Sequence, residues 1–203
     1  MYKFEGSKYK EGFKPITEIA KEVKTIINST FKGVKVGVTS EKFSMGRAIR
    51  IGIKKLPFAE HIYDSVTHYV EDSKEIKELK AKIQKVADQW NYIDSDVQSD
   101  YYNCSYYATV RVEPDAEFGK EAKLEPHQYA ILKDKSSRKA GDYEIQLLDW
   151  NGNTIDILTK GTDEGVDARL SRNGELVWEG LIEGKKWGIE LIQHLISILE
   201  GDA

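Results

Sequence analysis

The sequence predicts an α+β fold: an N-terminal helix-hairpin-helices-strand unit followed by an antiparallel β-meander with a C-terminal helix. Three observations point there. Apolar residues recur at helical spacing in four stretches. Elsewhere β-branched residues alternate with polar ones, as half-buried strands require. Two Asn-Gly dipeptides, Asn151-Gly152 and Asn173-Gly174, separate strand-like runs in the second half and mark hairpins.

Taken in order, the first dozen residues, rich in Lys, Tyr and Gly, read as an irregular arm. Pro15 suits the first turn of a helix, and Ile16, Ile19, Ala20, Val23 and Ile27 place an amphipathic helix over residues 16–30. Val34, Val36 and Val38, then Ile49, Ile51 and Ile53, alternate as two strands of a hairpin. Phe58, Ile62, Val66 and Tyr69 predict a second helix, and Ile76, Leu79, Ile83, Val86 and Trp90 a third. Asp72 and Glu75 have capping-box spacing for that third helix. Tyr106, Ala108, Val110 and Val112 close the unit as a strand. Prolines bracket the charged residues 113–126, which read as a linker. The predicted domains are therefore 1–113 and 127–203. In the second, residues 129–133, 143–149, 154–159, 166–171 and 175–182 read as five strands. A helix with Trp187, Leu191, Ile192, Leu195, Ile196 and Leu199 on one face follows, and Gly201 stops it.

Composition narrows the class. Of 203 residues, 40% are hydrophobic and 32% charged, which supports a core and excludes a disordered chain. A lone cysteine, Cys104, excludes a disulfide scaffold and suits a reducing compartment. No apolar run reaches the roughly 18 residues of a spanning helix, so a cytoplasmic protein without a membrane partner is expected. Charge is uneven. Residues 1–55 hold 13 Lys and Arg against 5 Glu, and the rest hold 17 against 29 acidic residues. A basic hairpin and an acidic body follow.

Catalytic motifs are missing from the sequence. No phosphate loop, nucleophile elbow or zinc pattern occurs, so neither an enzyme nor a cofactor is expected. His61, Asp64 and His68 share one face of the predicted second helix, but the histidines lie two turns apart, and no metal site is expected. Two constellations stand out. Tyr92, Asp94, Asp96, Asp100, Tyr101 and Tyr102 cluster in one short segment. Tyrosines give contact area at low entropy cost, and aspartates suit a basic partner. Lys35, Lys42, Arg47 and Arg50 lie on the basic hairpin and could meet phosphates, with Trp90 or Tyr92 stacking on a base.

The stretches 16–23 (ITEIAKEV), 31–38 (FKGVKVGV) and 47–51 (RAIRI), with 92–96 (YIDSD) and 100–102 (DYY), resemble the twenty-ninth of the large polyvalent protein-associated domains of phages and conjugative elements. The resemblance spans about residues 15–110. It implies a mobile-element protein that helps invading DNA against host defence, acting in the host bacterial cytoplasm, with no established catalytic residues. The leading expectation is a non-catalytic counter-defence protein, anti-CRISPR-like, that inhibits a bacterial immune protein or complex through the acidic tyrosine segment. The alternatives are a sponge for a nucleotide immune signal and a nucleic-acid-binding protein using the basic hairpin. Long strands and four tryptophans also make a homodimer an option.

Overall fold

A computed structural model describes residues 2–9, 14–44, 46–67, 69–96, 101–121, 123–136, 142–183 and 189–201. It is a mixed α+β structure with three α-helices and mostly antiparallel sheets. The chain forms two compact units, Met1–Pro57 with Lys74–Glu117, and Phe58–Ser73 with Phe118–Ala203.

The first unit does not follow the helix-hairpin-helices-strand order expected from sequence. It opens with a strand, β1 (Tyr2–Glu5), where an irregular arm was expected. Helix α1 (Ile16–Thr30) follows Pro15 and buries Ile16, Ile19, Ala20, Val23 and Ile27. It packs on the hairpin β2 (Lys35–Phe43) and β3 (Gly46–Leu56), whose Val36, Ile49, Ile51 and Ile53 are buried.

The stretch expected to be a second helix is instead a β-hairpin of the second unit, β4 (His61–Asp64) with β5 (Tyr69–Asp72). The supposed stripe is not a buried face: Val66 and Tyr69 are 68% and 74% exposed, whereas Tyr63, off the stripe, is fully buried. Asp64 is the local cause. One of its carboxylate oxygens accepts the N–H groups of Val66 and Thr67 and the Thr67 hydroxyl, at 2.8–3.0 Å. A side chain that satisfies backbone donors this way makes a turn and competes with helix. These bonds hold the Asp64 carboxyl below its ordinary range, the Thr67 backbone bond first among them.

Only one helix therefore follows the hairpin in unit 1. It is α2 (Lys74–Ala87), beginning after Asp72 has ended β5, and it buries Ile76, Leu79, Ile83 and Val86. Glu78 and Lys82 pair on its outside. A 3-10 turn (Asp88–Trp90) carries the buried Trp90 into β6 (Tyr92–Asp96), which pairs with both β1 and β7 (Tyr101–Cys104). Strand β8 (Tyr107–Phe118) lies beside β3 and runs into residues expected to be linker.

In the second unit β9 (Gln128–Ser136), β10 (Tyr143–Asp149), β11 (Thr154–Gly161), β12 (Gly165–Arg172) and β13 (Glu175–Glu183) form the antiparallel meander. With β4 and β5 it makes a seven-stranded sheet in the order β13-β12-β11-β10-β9-β4-β5. Helix α3 (Ile189–Glu200) covers one face, setting Leu191, Ile192, Leu195 and Ile196 against Leu147, Ile157 and Leu170. Trp187, expected on that helix, lies outside the described residues. Glu200 ties the helix to the sheet by accepting the hydroxyls of Tyr129 (2.9 Å) and Ser65 (3.1 Å).

The two Asn-Gly dipeptides behave differently. Asn173 and Gly174 both adopt positive φ, 52° and 85°, as a two-residue hairpin turn demands. At 151–152 only Gly152 does. There the buried Asp149 organises a longer loop, its carboxylate accepting the N–H groups of Asn151 and Asn153 and the Asn153 side-chain amide.

Candidate functional site

Strand β1 brings the N-terminal arm alongside β6, and the arm then crosses the 3-10 turn. Gly6 donates to the Asn91 carbonyl (2.8 Å) and Lys8 N–H to the Gln89 carbonyl (2.7 Å). The approach is so close that a Cβ on Gly6 would sit 2.2 Å from the Asp88 carbonyl oxygen. Only glycine permits this crossing. It places Lys8 and Tyr9 beside Trp90.

A cavity of about 320 Å³ opens there, lined by Lys8, Tyr9, Lys14, Ile19, Arg47, Trp90, Ser105 and Tyr106. The sequence brings them from five places: the arm, the approach to α1 and α1 itself, the start of β3, the 3-10 turn and the loop before β8. Three cationic heads and no carboxylate are found among the described lining residues. Each cation is positioned. Lys8 Nζ lies 4.3 Å from the centroid of the Trp90 ring and Lys14 Nζ 5.8 Å, both within reach of a cation–π attraction. Lys14 also pairs with Glu22. Arg47 donates through Nε (3.1 Å) and Nη2 (2.9 Å) to the Ser105 carbonyl.

The aromatic groups are fixed too. Tyr106 is buried and donates its hydroxyl to the Ala87 carbonyl; burial, with Asp88 nearby, pushes its phenol well above the ordinary value. Tyr9 stacks on Tyr92, with ring centroids 5.1 Å apart. Trp90 is only 4% exposed, and its indole N–H, a donor, is buried without an acceptor among the described residues. An unmet buried donor at a cavity wall costs about 1–3 kcal/mol, which a ligand oxygen could recover.

The four cations singled out from sequence are not gathered in one place. Arg47 joins the cavity together with Trp90. Lys35 lines a separate, more open groove with Lys24, Asn28, Lys54 and Lys55. Arg50 pairs with Glu41 at 2.7 Å, and Lys42 is exposed, opposite Arg47 in the hairpin register.

The acidic tyrosine segment forms strand, not loop, over its described part. Lys3 stands opposite Asp94 in the β1–β6 register, with its ammonium 5.9 Å from the Tyr92 ring. The Tyr92 hydroxyl donates to Asp94 Oδ2 at 3.2 Å, and desolvation together with that bond raises its pKa. Tyr92, Asp94 and Asp96 are half-buried. Tyr101 and Tyr102 lie on β7, but their side chains, and all of Asp100, fall outside the described residues.

His61 and Asp64 occupy β4, and His68 lies outside the described residues. His61 faces a different pair of acids, with Nδ1 3.1 Å from Asp72 and Nε2 3.6 Å from Glu60. Two carboxylates on opposite ring nitrogens match an ion-pair bridge better than donors converging on one ion. Cys104 is half-buried on β7.

No protein-family model, curated protein or solved structure matches this chain. The resemblance to the polyvalent-protein domain gains no support from these comparisons. No helix among the described residues is long and apolar enough to cross a membrane.

Lys8, Tyr9 and Lys14 escaped the sequence reading because they belong to the arm, which carries no periodicity. Gly6, three residues before Tyr9, was the available signal, since an isolated glycine beside a strand often marks close backbone approach.

Proposed function

We propose that this protein is a non-catalytic binding protein that captures a small phosphorylated ligand in the cavity formed by Lys8, Lys14, Arg47 and Trp90. The observation that carries this reading is the convergence of three positioned cations and an unmet indole donor on one concave site. Phosphate oxygens accept hydrogen bonds from all of these groups, and Arg suits them in particular. The described lining has no histidine or carboxylate to serve as a general base, which favours binding over turnover. In the mobile-element setting implied by the resemblance, such a protein sequesters a nucleotide immune signal.

Calorimetry with a panel of mono-, di- and cyclic nucleotides tests the reading. One ligand should bind at 1:1 stoichiometry, and Arg47→Ala should weaken it about ten- to hundredfold, the worth of one or two charge-assisted hydrogen bonds. Silence across phosphorylated ligands at millimolar concentration would sink it.

A second reading has its own observation. The groove lined by Lys24, Lys35, Lys54 and Lys55 presents four ammonium groups on one unit, a footprint suited to a nucleic-acid backbone. Affinity falling steeply with salt, and weakened by Lys35→Ala but not by Arg47→Ala, would identify it. The inhibitor reading through the acidic tyrosines is the least favoured, because Tyr92 and Asp94 are engaged with each other and with the arm.

A further inference from the structure

We infer that the cavity reads the phosphate chain of its ligand and not the base: its ligand class is a pyrophosphate or nucleoside polyphosphate, held without regard to nucleobase. The inference rests on the proposed cavity function and specifies which part of the ligand is recognised. A base-reading pocket needs an aromatic face for stacking and polar groups placed at a base edge. Here the aromatic faces already have occupants. The Trp90 ring carries Lys8, with Lys14 close by, and is almost wholly buried. Tyr9 has one face against Tyr92. Tyr106 is buried, and its hydroxyl is bonded to the Ala87 carbonyl.

What the cavity still offers is donors. Two ammonium groups and a guanidinium meet there, the guanidinium oriented by the Ser105 carbonyl, and the indole N–H of Trp90 lacks an acceptor. Lys8 links the two features. Its ammonium rests on the ring of Trp90, and a phosphate drawing it away uncovers the edge that carries the unmet N–H. A phosphate chain supplies several anionic oxygens spaced to meet such donors together, whereas a base supplies at most a few neutral acceptors. The volume, about 320 Å³, lies at the small end of ligand pockets and suits a phosphate chain with the remainder of the ligand outside.

The test is calorimetry on the full chain, in magnesium-free buffer, with sodium pyrophosphate, tripolyphosphate, ATP, CTP and adenosine. Pyrophosphate and tripolyphosphate should bind, ATP and CTP should agree within about threefold, and adenosine should give no signal. Lys8→Met and Trp90→Phe, the latter keeping a ring but deleting the N–H, should each weaken pyrophosphate about tenfold or more. If ATP binds more than about tenfold tighter than CTP, or adenosine binds while pyrophosphate does not, base recognition is operating. This inference then fails while the proposed function stands. If none of the five binds, the proposed function falls and this inference with it. Should Trp90→Phe fail to fold, Lys8→Met decides alone, and wild-type pyrophosphate affinity in that variant overturns the inference.

Discussion

Two regions of the first unit flank the same N-terminal arm and use charge in opposite ways. In the cavity, Lys8, Lys14 and Arg47 are steered by an aromatic ring, by Glu22 and by a backbone carbonyl, partners that orient a cation without filling its surroundings with negative charge. In strand β6, Asp94 takes the hydroxyl of its neighbour Tyr92 and faces Lys3 across the pair, so its charge is met within the fold. The difference separates a group arranged for a ligand from a group arranged for its own unit. Counting acidic or basic residues along the sequence cannot separate them. What each charge is already touching can.

The largest test of this contrast is Gly6→Ala, which acts on both regions. A methyl group there collides with the Asp88 and Gln89 carbonyls, so the arm must leave the 3-10 turn. Chemical denaturation should show a loss of about 2–3 kcal/mol, and the phosphorylated ligand should no longer bind. Unchanged stability would mean that the arm does not cross where described.

Of intermediate size is the pair Arg47→Ala and Asp94→Asn, compared on ligand affinity. The first should cost about ten- to hundredfold and the second less than about threefold. Equal effects would erase the distinction between the two regions.

The smallest effect is a titration. Desolvation and the bond to Asp94 raise the Tyr92 phenol above its ordinary value, so its un-ionised form is the one the fold favours. That contribution is complete below the unfolded value near 10 and fades as pH rises through the folded one. In the second unit Tyr63, pushed up to about 12 by burial and then by Glu200, follows the same sign. Stability should therefore hold up to about pH 10 and decline toward pH 12. In Asp94→Asn the Tyr92 titration, followed by NMR of the labelled ring, should move down toward its ordinary value.

How much of this was legible in sequence depends on whether the governing interaction is local. Helix α1, the β2–β3 hairpin and the meander follow periodicities that neighbouring residues impose, and those periodicities are visible in the sequence. Residues 58–69 also satisfied a helical period, yet Asp64 capturing the Val66 and Thr67 amides turned them into a hairpin. The Asn-Gly pair at 151–152 carried the same sequence signal as that at 173–174, and the buried Asp149 beside it gave a different loop. At the site, Arg47 and Trp90 were noticed separately, for charge and for size. Their meeting depends on Gly6 threading the arm past the 3-10 turn, a contact between residues more than eighty positions apart that no local pattern encodes.

The route of the chain through its two units bears on how the protein can be taken apart. Residues 58–73 leave the first unit, supply two strands to the sheet of the second and return before α2. No single cleavage point divides the molecule into self-sufficient pieces. A fragment beginning at residue 118 would lack β4 and β5, leaving the flank of β9 unpaired and the place of Tyr63 vacant, conditions that invite aggregation. Excising the first unit intact calls for two cuts and a short splice from Pro57 to Lys74. Any truncation series used to map binding has to respect that interleaving, or it will mistake a broken sheet for a lost site.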